Sequence, residues 1–374
     1  MSAQIRGRLA RIREALQAQG VSALLIGPGA DLRYLTGYDA PPLERLTLLV
    51  ARADGGHAMV VPRLELAMAQ AAGLGEVADI LAVEETDDPF ALVAGLLADG
   101  ARRPRLAVGD RLWATFVLGL QEAIGPASWV RASTVIGPLR AVKDPVELAA
   151  LRRAAEAIDR VHAAVPDLLL PGRSEREVAD DIAERILAEG HETVSFVIVA
   201  AGPNGASPHH APSARRLEVG DAVVVDIGGT VEGYGSDCTR NYLVGGAAHA
   251  PAGYLAAHTA LEDAQDAAVG AVRPGVTAGA IDAVARGRLE EAGYGPAFVH
   301  RTGHGIGLEE HEPPYLVAGA DVPLEPGMTF SVEPGIYLEG RFGLRIEDIV
   351  AVTDDGVERL NTLDRRPAEA ATGR

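Results

Sequence analysis

Asp226, Asp237, His304, Glu333 and Glu347 are the residues of this chain best suited to do chemistry, because together they make a metal-ligand set. Asp226 closes an apolar run, Ala222 to Val225. A carboxylate there is costly unless something compensates its charge. Gly228 and Gly229 leave space beside it, and after Glu232-Gly233 the chain returns as Ser236-Asp237-Cys238-Thr239-Arg240. A hairpin of this kind brings Asp237 back toward Asp226. Neighbouring like charges withdrawn from water repel, and one remedy is a bound cation. The plainer alternative makes one a turn acid and pairs the other with Arg240.

Glu333 follows Phe330-Ser331-Val332, and Glu347 sits in Arg345-Ile346-Glu347-Asp348, read as an apolar strand that runs on to Ile349-Val350. Alternation with period two puts Arg345 on the face of Glu347, where it would buttress a ligand carboxylate. A surface Arg–Glu pair is the alternative for that strand taken alone. His304 lies in Thr302-Gly303-His304-Gly305-Ile306-Gly307, with three glycines around one imidazole. This run lacks the Lys-Ser/Thr of a phosphate loop. Four carboxylates and an imidazole form a hard donor set that suits manganese first, with cobalt, iron or zinc as alternatives. Five donors are too many for one catalytic ion with open positions. The expectation is two divalent ions per subunit, roughly 3.5–4 Å apart.

Elements of two kinds must position these residues. Ile5, Leu9, Ile12 and Leu16 at helical spacing predict a helix over 2–19, closed by Gly20. A short strand follows at Val21 to Ile26, and Leu46 to Ala51 and Ala58 to Val61 flank Asp54-Gly55-Gly56 as a hairpin. Helical stretches near 63–72, 89–98 and 112–124 alternate with strands near 79–83, 105–109 and 128–131. That order predicts a self-contained α/β domain over 1–138, in which Asp87-Asp88 and His57 stand alone and no catalytic cluster forms. Gly137-Pro138 reads as a chain break. Asp144-Pro145-Val146-Glu147 then starts a helix: Asp as N-cap, Pro first, Glu three residues after the cap. A second domain is expected over 139–365, and the polar, Ala-rich 366–374 as a flexible tail.

The second domain repeats itself. Leu217 to Gly228 matches Leu324 to Gly335 at a constant offset of 107, which pairs Asp226 with Glu333. Upstream, Pro171-Gly172-Arg173-Ser174 opens a helix ending near Gly190, and Pro274-Gly275-Val276-Thr277 opens one ending near Gly293. A duplicated α+β unit with pseudo-twofold symmetry would bring the two acids to one cavity. A chance match of a common strand entry is the weaker alternative.

Composition removes other classes. The 374 residues carry a net charge of −18, with 48% hydrophobic and 23% charged residues, a soluble globular mix that argues against a basic nucleic-acid face. A single cysteine, Cys238, excludes an intramolecular disulfide and a cysteine-based zinc cluster. Neither a signal-peptide pattern nor an apolar run of membrane-spanning length is seen, so no membrane partner and a cytoplasmic location are the expectations.

The motifs resemble those of the pita-bread metallopeptidases, in the branch of Xaa-Pro dipeptidases (prolidases) and Xaa-Pro aminopeptidases. The likeness is carried by Asp226, Ser-Asp237-Cys-Thr-Arg, Gly-His304-Gly-Ile-Gly-Leu-Glu-Glu-His311-Glu, Val-Glu333-Pro-Gly-Ile-Tyr and Leu-Arg-Ile-Glu347-Asp. It implies a pita-bread (creatinase/aminopeptidase-like) α+β catalytic domain behind an α/β creatinase-type N-terminal domain. It further implies Asp226 on one metal, His304 and Glu333 on the other, and Asp237 and Glu347 bridging them. Glu333 would also carry the proton of a metal-bridging hydroxide that attacks the peptide. His209, His300 and His311 match the family's catalytic histidines, with His311 on the carbonyl oxygen. On chemistry alone His209 and His210 are equivalent; spacing to Asp226 favours His209.

The implied activity is removal of the first residue from a small peptide with proline second, by a homodimer. Some prolidases place an Arg shortly after the second His of the central motif to grip a dipeptide's C-terminal carboxylate. Here the stretch Glu312-Pro313-Pro314-Tyr315 has no basic residue, so an Xaa-Pro aminopeptidase acting on longer peptides is the close alternative. A metal-free creatinase-like hydrolase, a non-catalytic binding module of the same fold and a methionine aminopeptidase stand further off.

Overall fold

The computed structural model describes residues 2–98 and 103–370, which fall into two compact units divided between residues 140 and 141. The first unit runs α1 (Ser2–Ala18), β1 (Ala23–Ile26), α2 (Ala30–Thr36), β2 (Leu48–Arg52), β3 (His57–Pro62) and α3 (Leu66–Ala71). It continues β4 (Asp79–Val83), α4 (Pro89–Leu97), β5 (Arg105–Val108), α5 (Ala114–Ile124), β6 (Ser128–Arg131) and α6 (Ser133–Ala141). Its strands form one sheet in the order β4-β3-β2-β1-β5-β6. Pairs joined by short turns, such as β2–β3, are antiparallel, while β3–β4 and β5–β6, with helices between them, are parallel. Leu25, Val50, Val60 and Leu106 of the sheet bury against Val93, Phe116 and Leu120 of α4 and α5.

Gly137-Pro138 does not break the chain, because α6 runs through it. Pro138 has no N–H and leaves the Thr134 carbonyl without its usual donor. The side chain of Gln19 donates to that carbonyl instead, at 3.1 Å.

The second unit opens with α7 (Pro145–Leu168), started by a capping box in which Asp144 and Glu147 satisfy each other's backbone N–H. Its first half continues α8 (Glu175–Ala188), β7 (Thr193–Ala201), β8 (Ala222–Val231) and β9 (Tyr234–Val244). The second half runs α9 (Tyr254–Ala271), α10 (Ala278–Glu291), β10 (Gly303–Gly305), β11 (Glu312–Leu316), β12 (Thr329–Val332) and β13 (Gly335–Leu338). It ends β14 (Phe342–Arg345), β15 (Asp348–Val352), β16 (Val357–Arg359) and β17 (Ala368–Ala370). The sheets are ordered β17-β9-β8-β7 and β11-β10-β12-β15-β16, with β13-β14 a separate hairpin.

Duplication shows in matching details. Ser174 bridges Arg216 as Thr277 bridges Pro323. The N–H of Gly172 donates to Leu217 as that of Gly275 donates to Leu324, both at 2.8 Å. Ile158 and Val161 of α7 and Ile182 of α8 pack on Val225, Ile227 and Cys238. Ala268 of α9 and Ile281 and Ala285 of α10 pack on Phe330, Val332 and Val350. Each half is therefore two helices on the outer face of one sheet.

Three further expectations need correction. Asp226 does not end its strand: it lies inside β8, and Gly228 and Gly229 stay in the ladder opposite Asp237 and Ser236. The strand expected through Arg345 and Glu347 is interrupted at Ile346-Glu347, because β14 pairs with β13 whereas β15 pairs with β12. The tail is not loose over 368–370, where β17 pairs in parallel with Tyr242 to Val244 and buries Ala370 in the core of the first half; residues 371–374 lie outside the described residues. Among the described residues no helix is long and apolar enough to cross a membrane.

Candidate active site

In the β8–β9 ladder Asp226 stands opposite Thr239 and Gly228 opposite Asp237. Strand alternation turns Val225, Ile227, Cys238 and Tyr242 outward to the helices and Asp226, Asp237 and Thr239 inward. Asp237 therefore lies diagonally from Asp226 on the same face. Gly228 is required beside them: a Cβ there would meet the Phe196 ring at 2.5 Å and the Ser236 carbonyl at 2.6 Å. Arg240, one residue out of phase, points to the other face and pairs with Asp348 at 2.6 Å rather than with Asp237.

The second half supplies the rest. Glu333 follows the last residue of β12, and Glu347 comes from the break before β15. His304 is on β10, where a Cβ at Gly303 would sit 1.9 Å from the Ser331 carbonyl and one at Gly305 2.4 Å from that of Glu312. The glycines thus let this short strand press against both neighbours.

A cavity of about 850 Å³ is lined by Asp226, Asp237, His304, Glu333 and Glu347, and also by His209, His300, His311 and Arg345. Donor atoms of Asp226, Asp237 and Glu347 lie within 4.8 Å of one another, as do those of His304, Glu333 and Glu347 and those of Asp237, His304 and His311. His209 and His210 part company: His209 faces the cavity, whereas His210 Nε2 sits 2.8 Å from Glu175 Oε2. Glu175, fully buried at the start of α8, also accepts from the N–H of Ala201, the Asn204 amide, and the N–H and hydroxyl of Ser213.

Without a counter-charge this acid cluster is unfavourable. Burial first, then Glu347, Asp226 and Glu333, push the Asp237 carboxyl well above the usual range. Glu347 is raised likewise, by burial and then by Glu333 and Asp226, against Arg345 and a hydroxyl bond from Thr239 at 2.7 Å. Burial takes Glu333 up to about 7, with Arg345 opposing and Asp226 adding. His304 is lowered to about 3, by burial and then by His311. Its Nδ1 lies 3.1 Å from the Gly305 carbonyl, which can only accept, so Nδ1 carries the proton. Nε2 then presents a lone pair to Glu333 Oε1 at 3.3 Å and Asp237 Oδ2 at 3.5 Å. Asp226 Oδ1 is buried with no hydrogen-bond partner in the protein. A lone pair facing carboxylates and an orphaned carboxylate oxygen are both satisfied by bound cations, so the donor set fits divalent metal ions.

Beside Arg345, which the sequence placed against a ligand carboxylate, several residues around this set were not singled out from the sequence. Arg345 donates to Asp226 Oδ2 at 2.5 Å, to the Thr239 hydroxyl at 3.0 Å, to the Tyr337 hydroxyl at 2.9 Å and to the Pro208 carbonyl at 3.2 Å. Tyr337 lies in turn 2.9 Å from His300 Nε2, which ties a histidine on one wall to an aspartate on the other. The Ser331 hydroxyl accepts from the His304 N–H at 3.0 Å and donates to Glu333 at 3.1 Å. Tyr337 ends the Val-Glu-Pro-Gly-Ile-Tyr motif, and that is its only signal in the sequence. For Thr239, Ser331, Arg301 and Glu310, residue type and spacing gave none.

A duplicated two-helix-on-sheet fold closing on a cavity with this donor set points to a metallopeptidase. The chain belongs to metallopeptidase family M24, whose family model matches residues 149–354, and residues 8–142 match the creatinase/prolidase N-terminal domain. Its catalytic unit has the pita-bread fold, in the Xaa-Pro dipeptidase and aminopeptidase branch. It is 52% identical over 359 residues to the probable dipeptidase PepE of Mycobacterium tuberculosis, covering 95% of this chain and 93% of that one. It is 34% identical over 360 residues to the Xaa-Pro dipeptidase of Lactobacillus delbrueckii subsp. lactis, covering 93% and 95%. The crystal structure of dipeptidase PepE from Mycobacterium ulcerans is similar with a TM-score of 0.93 and 50% identity, over 99% of both chains.

Proposed function

We propose that this chain is an Xaa-Pro dipeptidase, a prolidase, working with two divalent ions of which manganese is the first choice. One observation carries the reading: three groups of potential donors overlap, sharing Asp237, His304 and Glu347, so that a pair of ions rather than one satisfies them. Asp226 would hold one ion, His304 and Glu333 the other, and Asp237 and Glu347 would bridge. When bound, the ions supply an acidified water and a Lewis acid for the scissile carbonyl.

The protein's own groups do the remainder. Glu333, on the cavity wall beside the cluster, can pass a proton to the leaving proline nitrogen. His311, its ring 3.8 Å from that of His304, can donate to the substrate's carbonyl oxygen. His300 is kept neutral by burial, which lowers it to about 4, and anchors Tyr337 and through it Arg345 and Asp226. His209 lines the same cavity. The dipeptidase names of the relatives support this substrate class.

The test is hydrolysis of a small Xaa-Pro panel by protein reconstituted with Mn²⁺. Free proline is expected from Ala-Pro and Leu-Pro, with release abolished by a chelator and restored by metal. Cleavage of Ala-Pro-Ala without cleavage of Ala-Pro would replace this reading with an Xaa-Pro aminopeptidase.

A further inference from the structure

The cavity wall is acidic: Asp226, Asp237, Glu310, Glu333 and Glu347 all face it. Even with two divalent ions balancing the four ligand carboxylates, none of these acids offers a hydrogen-bond donor to a substrate's negative end. Two arginines are exceptions. Arg345 is buried, and its donors are committed to Asp226, Thr239, Tyr337 and Pro208.

Arg301 is different. It is half-buried, lines the cavity, and among the described residues has no carboxylate within ion-pair distance. One of its donors meets His311 Nδ1 at 3.2 Å. Its guanidinium lies over the Tyr315 ring, 4.5 Å from the centroid. A guanidinium above a ring keeps N–H groups for other partners, and a carboxylate can take two parallel bonds from them.

Position agrees with this chemistry. His311 separates Arg301 from His304, so Arg301 is one side chain beyond the cluster. Successive Cα atoms are about 3.8 Å apart, so the C-terminal carboxylate of a dipeptide lies just one residue beyond the bond that is cut. The stretch Glu312-Pro313-Pro314-Tyr315, which has no basic residue, contributes a ring, and the charge comes from three residues ahead of His304.

On the dipeptidase reading above, we propose that Arg301, held over Tyr315, recognises the free C-terminal carboxylate of the substrate and makes dipeptides preferred over longer peptides. A tripeptide or a dipeptide amide presents a neutral amide at that point and gains nothing from the guanidinium.

The experiment compares kcat/KM for Ala-Pro and Ala-Pro-amide in the Mn²⁺-loaded wild type, Arg301→Ala and Tyr315→Ala. It also compares calorimetric binding of the products L-proline and L-prolinamide to the same proteins. The wild type is expected to favour Ala-Pro and L-proline. Arg301→Ala is expected to lower the Ala-Pro to Ala-Pro-amide ratio on the order of tenfold or more and to erase the difference between the two products. Tyr315→Ala, a change at an exposed ring, is expected to lower the ratio part of the way and shows the effect without touching the charge. A wild type that cleaves both substrates with a ratio unchanged in both variants overturns the role of Arg301 and leaves the prolidase reading standing. A wild type that cleaves neither overturns both.

Discussion

Asp237 is buried among Glu347, Asp226 and Glu333, so its charge is a cost until cations are present. Asp237→Asn keeps the shape and removes that charge. In metal-free protein we expect the variant to melt higher than the wild type by roughly 2–4 °C, the shift that about 1 kcal/mol gives in a unit of this size. Added Mn²⁺ should raise the melting temperature of the wild type and not that of the variant, and Ala-Pro hydrolysis should fall at least roughly a hundredfold. Thermal scans with and without metal decide it, and a variant that still gains from Mn²⁺ as the wild type does would remove Asp237 from the ligand set. At this scale the sequence was informative about acids and histidines, because a charge in an apolar strand or an imidazole among glycines is anomalous. It gave no chemical role to the hydroxyls of Thr239, Ser331 and Tyr337, because a hydroxyl is not anomalous in a strand and its role depends on the partner the fold brings to it.

Elements were legible where hydrophobic period and capping agree, as at Asp144-Pro145-Val146-Glu147 or in the hairpin around Asp54-Gly55-Gly56. They were not legible where a tertiary partner repairs a local fault. Pro138 stays inside a helix because Gln19 reaches the carbonyl it leaves open, and Pro166 stays inside α7 because the Tyr242 hydroxyl donates to His162 at 3.1 Å. The first turn of α8 shows the same logic serving the site. Glu175 holds the segment from Ala201 to Ser213, and so fixes where His209 stands. Glu175→Gln turns donors against donors. We expect it to lower stability by about 1–3 kcal/mol and kcat/KM for Ala-Pro by roughly tenfold or more, while the melting-temperature gain on adding Mn²⁺ persists. Loss of that gain as well would place Glu175 in support of the metal cluster rather than of the histidine loop.

At the scale of the whole molecule, four hydrophobic clusters of described residues each keep to one side of the division near residue 140. One cluster lies wholly within the first unit, and those behind the cavity lie wholly within the second. All the candidate ligands belong to the second unit. Calorimetry is therefore expected to show two unfolding transitions, of which only one moves up with Mn²⁺. One transition that shifts as a whole would mean that the two units unfold together.

The sequence by itself determined the kinds of element, the duplication at an offset of 107 and the donor types of the site, because period, turn chemistry and charge in an apolar strand are local properties. Tertiary structure decided that Asp226 lies mid-strand, that His209 and not His210 faces the cavity, and that Arg301 lies over Tyr315 with one donor on His311. These are matters of side-chain direction. Direction is set by ladder register and by partners distant in sequence, such as Glu175 drawing His210 aside, and neither is written in the residues at the site.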